Sequence, residues 1–311
     1  MNFNWRGILV LISLILLSTA GCCYMVNDNE SIELNDEFRE KVGGNYIELS
    51  NGSVHYELKG PESGKIIVLV HGFSIPSYIW EPTFQYLSNA GFRVLRFDLY
   101  GRGLSDRPES DYGMQLYVNQ LNELLKALDI NEQINVIGLS MGGAVATHFI
   151  NRYPDKVSKL VLIDPLIETP DRLELTLIKI PLLKDFLGKT VVVPKIRNGV
   201  TKAVYDPASF PNWKRLFEPQ TTIKGYSRAI ITTASNLAGK NFKSEYTKLA
   251  VSNIPVQLFW GKEDQTISFE DSKKVLSAIP NAEFHLIEKA GHLPHYEHPE
   301  IVNPLITEFL R

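Results

Sequence analysis

Ser140 stands in Gly138-Leu139-Ser140-Met141-Gly142, a G-x-S-x-G run that leaves an apolar strand pattern and enters a helical one. A serine on such a strand–turn–helix junction is held at the tip of a sharp, strained turn, with its hydroxyl standing free above the sheet edge. Glycines on either side keep strand and helix from colliding. The bland alternative is a glycine-rich connection, and the strand–turn–helix context argues against it. A serine hydroxyl is a weak nucleophile and needs a base, and histidine titrates in the right range. His292, in Lys289-Ala290-Gly291-His292-Leu293-Pro294, follows the last strand pattern and is the candidate base. His285 lies inside that strand, and His295 and His298 are reserves whose simpler roles are structural.

The imidazole in turn needs a carboxylate to hold its tautomer. Asp264, in Trp260-Gly261-Lys262-Glu263-Asp264-Gln265, follows the penultimate strand and completes the order serine, acid, histidine expected with this turn. Asp164, after the strand ending at Ile163, is the alternative acid; Glu263 is one position early. Acyl transfer also requires donors for a developing oxyanion. The backbone N–H groups of Met141, next to the serine, and Phe73, in His71-Gly72-Phe73 after an earlier strand, are the candidates. His71 is expected to brace its loop.

The elements that must position these groups can be read from periodicity. Strands are expected over 46–49, 54–58, 66–70, 93–97, 134–137, 159–163, 256–260 and 283–287. Helical patterns run over 79–90, 112–128, 142–152, 269–279 and 301–310. Such alternation predicts an α/β fold with a mostly parallel central sheet and helices on both faces. Residues 166–249 break the rhythm with helical fragments between prolines and no convincing strand, so they are expected as a helical cap (lid) inserted between two strands, with 44–165 and 250–311 forming the core.

Four segments then occur in order: His71-Gly72-Phe73, Asp98-Leu99-Tyr100-Gly101-Arg102-Gly103-Leu104-Ser105, the Ser140 turn, and Gly291-His292 with Glu297-His298-Pro299 behind it. In these the chain resembles the α/β-hydrolase superfamily over roughly residues 45–311. The resemblance implies that Asp98–Ser105 buttresses the site, with Ser105 structural. It also implies that serine at the turn excludes the dehalogenases and epoxide hydrolases, which use aspartate there. Carboxylesterases and lipases are the leading expectation, with carbon–carbon bond hydrolases, lactonases and cofactor-free perhydrolases as alternatives, and a non-catalytic binding protein last. Lid residues Leu173, Leu177, Ile178, Ile180, Leu182, Leu183 and Phe186 are candidates to line an acyl pocket or, equally simply, the cap's own core.

With 44% hydrophobic and 22% charged residues the chain has an ordinary globular balance, and a net charge of −3 gives no field for nucleic acid. No cofactor or metal motif is present in the sequence, and the only two cysteines, Cys22 and Cys23, exclude a thiolate site in the body. Residues 1–21 read as a signal peptide: Arg6, the apolar run Ile8–Leu17, then small residues before Cys22, with Thr19 where leucine is usual. This layout resembles a bacterial lipoprotein signal, which implies lipidation of Cys22, a membrane-anchored body in the cell envelope outside the cytoplasm, and residues 22–43 as a tether.

Overall fold

The computed structural model describes residues 14, 18–19, 21–22, 24–169 and 177–311. Most of the expected signal peptide lies outside the described residues, and no helix among those described is long and apolar enough to cross a membrane. Eight strands form one sheet: β1 (Asn45–Leu49), β2 (Gly52–Lys59), β3 (Ile66–Val70), β4 (Arg93–Phe97), β5 (Ile134–Leu139), β6 (Val157–Ile163), β7 (Val256–Gly261) and β8 (Glu283–Ile287). Their spatial order is β1-β2-β4-β3-β5-β6-β7-β8. The β1–β2 hairpin and the β2–β4 pair are antiparallel, and the remaining pairs are parallel.

The β-branched run Ile66–Val70 shows why the sheet is covered on both faces. All five residues are buried. Ile66, Val68 and Val70 pack into one apolar cluster, and Ile67 and Leu69 into the other, as the two-residue period of a strand dictates. Helices Met114–Ala127, Met141–Arg152 and Asp271–Ala278 cover the first face; helices Glu81–Asn89 and Pro299–Leu310 cover the second. The chain reverses strand order on either side of β3, so the carboxyl ends of β3 and β5 open a crevice where ligands bind in sheets of this kind.

Between β6 and β7 the described chain is helical, from Pro181–Leu187 through Tyr226–Leu237 to Lys243–Val251, with no ladder strand among the described residues. This segment packs onto the second cluster through Val192, Val193, Trp213, Phe217 and Ile230. Of the lid residues expected near an acyl pocket, Ile178 is buried in that cluster. Ile180 and Leu183 are 43% and 39% exposed and therefore face solvent. Leu173 lies outside the described residues, as does the side chain of Leu182.

The segment read as a tether is docked along the cap. Ser31 and Ile32 N–H groups both donate to Thr222 O, at 2.8 and 2.9 Å, and Lys224 N–H donates to Ile32 O at 2.8 Å. Glu30 accepts the Gly225 and Ser227 N–H groups, each at 2.6 Å. Those amides open helix Tyr226–Leu237, whose first turn has no intrahelical acceptors, so Glu30 caps it from outside. Asn35 then caps the short helix Asp36–Val42, and Arg39 reaches Asp106 in the core at 2.5 Å.

Candidate active site

Ser140 sits between β5 and helix Met141–Arg152 with φ 54° and ψ −122°, a backbone conformation costly for a residue with a Cβ. Three hydrogen bonds hold it there: its N–H donates to Ile163 O at 2.9 Å, and its carbonyl accepts from Gly143 at 2.9 Å and Leu166 at 3.0 Å. The surrounding glycines are steric requirements. A Cβ on Gly138 would lie 2.7 Å from Gly142 O, and one on Gly142 would overlap Val70 O and approach His71 O to 2.5 Å. A Cβ on Gly72 would come within 3.7 Å of Ser140 Oγ, so the loop after β3 passes directly over the hydroxyl.

That loop is oriented by His71. Leu99 N–H points at His71 Nε2 at 2.9 Å, so Nε2 must be the unprotonated acceptor. The proton therefore sits on Nδ1 and is donated to Gly72 O at 2.9 Å. The C=O and N–H of a trans peptide point in opposite directions. Pinning Gly72 C=O thus aims Phe73 N–H the other way. The next peptide is pinned as well, because the buried Arg102 donates from Nε to Phe73 O at 2.8 Å and from its terminal nitrogens to Tyr117 and, across to the cap, Thr233. Met141 N–H, the second expected donor, opens its helix and has no acceptor within it.

Burial pushes His71 down to about 4 from its ordinary 6.5. Between those pH values the unfolded chain takes a proton here and the folded chain does not, so this site's contribution is intact above pH 6.5 and is lost as pH falls toward 4. The shift corresponds to about 3 kcal/mol. Urea midpoints measured across this range will fall at the acid end in the wild type. In His71→Gln the fall will be smaller, from a lower starting stability; an equally steep fall in that variant would remove His71 as a source.

Asp264 and His292 lie in the loops after β7 and β8 and meet at 2.6 Å between Oδ2 and Nδ1. The other Asp264 oxygen accepts Thr266 and Ile267 N–H at 2.6 and 3.0 Å. With the carboxylate accepting throughout, Nδ1 is the donor and Nε2 of the neutral ring carries the free lone pair. Asp164, the alternative acid, is wholly buried at φ 41°, accepts Gly261 N–H at 2.9 Å, and lies beside the pair rather than in contact with the imidazole through a hydrogen bond. Among the described residues, Asp164, Asp264 and His292 form the group of three of metal-ligand type whose ligand atoms lie within 4.8 Å of one another. The Asp264 and His292 atoms are already committed to each other and to backbone amides, which leaves a poor donor set for a cation.

Several residues that fix the histidine loop carry no signal in the sequence. Glu263, one position before the acid, ties to the histidine loop's backbone: its carboxylate accepts Ala290 N–H at 3.1 Å, and its own N–H donates to Ala290 O at 3.0 Å. Glu297 accepts Gly291 N–H at 2.8 Å and Tyr205 N–H at 2.6 Å. His292 N–H donates to Ala203 O in the cap at 2.8 Å. Neither carboxylate belongs to a periodic pattern, and only the E-H-P sequence behind His292 hinted at Glu297. The reserve histidines are placed elsewhere. His295 is fully buried against Trp80, with 4.4 Å between ring centroids, and burial pushes it down to about 3. His285 pairs with Glu283, and His298 donates to Lys289 O at 3.0 Å. Ser105 Oγ donates to Asp98 O at 2.6 Å and takes His55 N–H at 3.0 Å, bracing the loop after β4.

A strained serine at the β5 turn, a carboxylate–imidazole pair on the last two loops and a backbone-donor loop after β3 define the class. The chain belongs to the alpha/beta hydrolase fold family, whose model matches residues 65–299. It is 27% identical over 260 residues to an uncharacterized protein of Mycobacterium tuberculosis, covering 80% of this chain and 76% of that one. It is 25% identical over 294 residues to a 2-hydroxy-6-oxononadienedioate/2-hydroxy-6-oxononatrienedioate hydrolase of Pseudomonas putida, covering 87% and 98%. Among solved structures, an esterase from Exiguobacterium antarcticum superposes with a TM-score of 0.72 at 20% identity, covering 86% of this chain and 99% of that one.

Proposed function

We propose that the protein is a serine hydrolase of carboxylic esters, a carboxylesterase or lipase acting through an acyl-Ser140 intermediate. The observation that carries this is the 2.6 Å Asp264–His292 pair, which fixes the imidazole tautomer with Nε2 unprotonated. In this reading Ser140 Oγ attacks the ester carbonyl as His292 Nε2 takes its proton. Phe73 and Met141 N–H groups receive the developing oxyanion. His292 returns the proton to the leaving alcohol, Asp264 steadies the imidazolium, and water repeats the sequence on the acyl-enzyme. No cofactor enters these steps. The apolar run Ile8–Leu17 and the small residues before Cys22 support an envelope location with lipid on Cys22.

The experiment is a panel of p-nitrophenyl esters from acetate to palmitate, run on the full chain beside a lactone and a 2-hydroxy-6-oxodienoate, with fluorophosphonate labelling and an intact mass to detect lipid on Cys22. We expect ester turnover with a chain-length optimum and a label on Ser140. The second reading, a carbon–carbon bond hydrolase, is favoured by the likeness to the Pseudomonas putida enzyme. Dienoate cleavage without ester turnover, Ser140 still labelling, would establish it and remove the first. A mass without added lipid would remove the anchor.

A further inference from the structure

The carboxyl group of Asp164 is 0% exposed, and its Oδ2 has no hydrogen-bond partner among the described residues, while Oδ1 is occupied by Gly261 N–H at 2.9 Å. A buried, unpartnered carboxylate oxygen is costly. One ligand atom from each of Asp164, Asp264 and His292 lies within 4.8 Å of the other two, so the Asp164 carboxyl group stands close to a second carboxyl group. Two carboxylates that close, both out of water, cannot both carry charge.

We propose that Asp164 is a neutral carboxylic acid that donates its proton to the Asp264 carboxylate, and so acts as a positioning residue for the Asp264–His292 pair. One proton then satisfies the orphaned oxygen and fills the remaining acceptor position of Asp264, whose other lone pairs hold His292 and two backbone amides. No bond other than the hydrogen bond is made. The groups facing Asp164 agree in sign: burial first, then the Asp264 carboxylate and Glu297 behind it, push its proton affinity well above the usual carboxylate range, against the single Gly261 amide. His292 is the one basic side chain in the cluster, and its proton is committed to Asp264.

The inference rests on Asp264 and His292 being the working pair, but its readout needs no substrate. The His292 imidazole is titrated by NMR in the full chain, its resonances assigned with His292→Gln, in the wild type, Asp164→Asn and Asp164→Ala. Asparagine reproduces the neutral acid, accepting with its oxygen and donating with its amide, so the titration is expected not to move. Alanine leaves Asp264 with one donor fewer and more negative charge toward His292, so the midpoint is expected to rise, by about one pH unit. The acid limb of the pH–rate profile should follow the same midpoints. A midpoint that moves in the asparagine variant, or stays fixed in the alanine variant, overturns the proposal, since an ionised Asp164 would lower it in both. Should the alanine variant fail to fold, infrared spectroscopy decides: a protonated carboxyl band at neutral pH that vanishes in Asp164→Asn supports it, and a wild type without that band overturns it. A normal titration with no turnover of esters would sink the esterase reading and leave this one standing.

Discussion

Ser140→Ala will lower kcat for ester hydrolysis by about 10⁴- to 10⁶-fold, to the level that binding and the oxyanion donors alone sustain. The proposed mechanism has one atom that forms a covalent bond to the substrate, and the next hydroxyl along the helix cannot replace it: Thr147 Oγ1 donates to Gly143 O at 2.9 Å, inside the helix. The fold should survive. Alanine keeps a Cβ at φ 54°, so the strain at the turn is unchanged, and the three hydrogen bonds that hold residue 140 are made by backbone atoms. Kinetics on the preferred ester, phosphonate labelling and a thermal melt of the variant check this together. An enzyme that keeps a tenth of its activity with an unchanged melt would show that Ser140 is not the nucleophile.

Gly261→Ala will damage stability and activity together. Gly261 ends β7 where the acid loop crosses the histidine loop. A Cβ there would overlap Gly291 O and sit 2.7 Å from Ala290 O, both backbone atoms one or two residues before His292. Backbone cannot rotate away as a long side chain can. The two loops must part, which strains the Gly261 N–H to Asp164 bond of 2.9 Å and the Glu263 N–H to Ala290 O bond of 3.0 Å. Forced overpacking of this kind costs about 3 kcal/mol, and displacing His292 by even about 1 Å would lower kcat by roughly 100-fold. Urea denaturation and steady-state kinetics measure the two effects. A variant of wild-type stability and rate would mean that the loops separate freely and do not depend on this crossing.

The strands were legible because burial on two faces demands uninterrupted apolar residues, as in Ile66–Val70 and in residues 160–163. The serine turn was legible for a related reason: glycines at 138 and 142 answer to backbone atoms that would overlap any side chain. What supports the histidine loop was not. Glu263, Glu297 and Ala203 O act through single hydrogen bonds between distant parts of the chain, and such bonds leave no period and no composition behind. The choice between Asp264 and Asp164 came from loop order, while their closeness within 4.8 Å came only from the register of β6 against β7. Residues 27–40 carry polar and acidic side chains that read as solvated linker; that Glu30 instead caps helix Tyr226–Leu237 depends on a tertiary approach.

That approach has a mechanical side. Counting inward from the amino-terminal end, the first firm attachments among residues 28–33 are to the cap, at Lys189, Thr222, Lys224 and Gly225, and the first salt bridge to a core loop comes later, at Arg39. Tension on the chain from that end would therefore arrive at the helical segment between β6 and β7 before it reached the sheet. A chain pulled at its amino-terminal end would pass that pull first to the segment whose Ala203 carbonyl holds the His292 N–H.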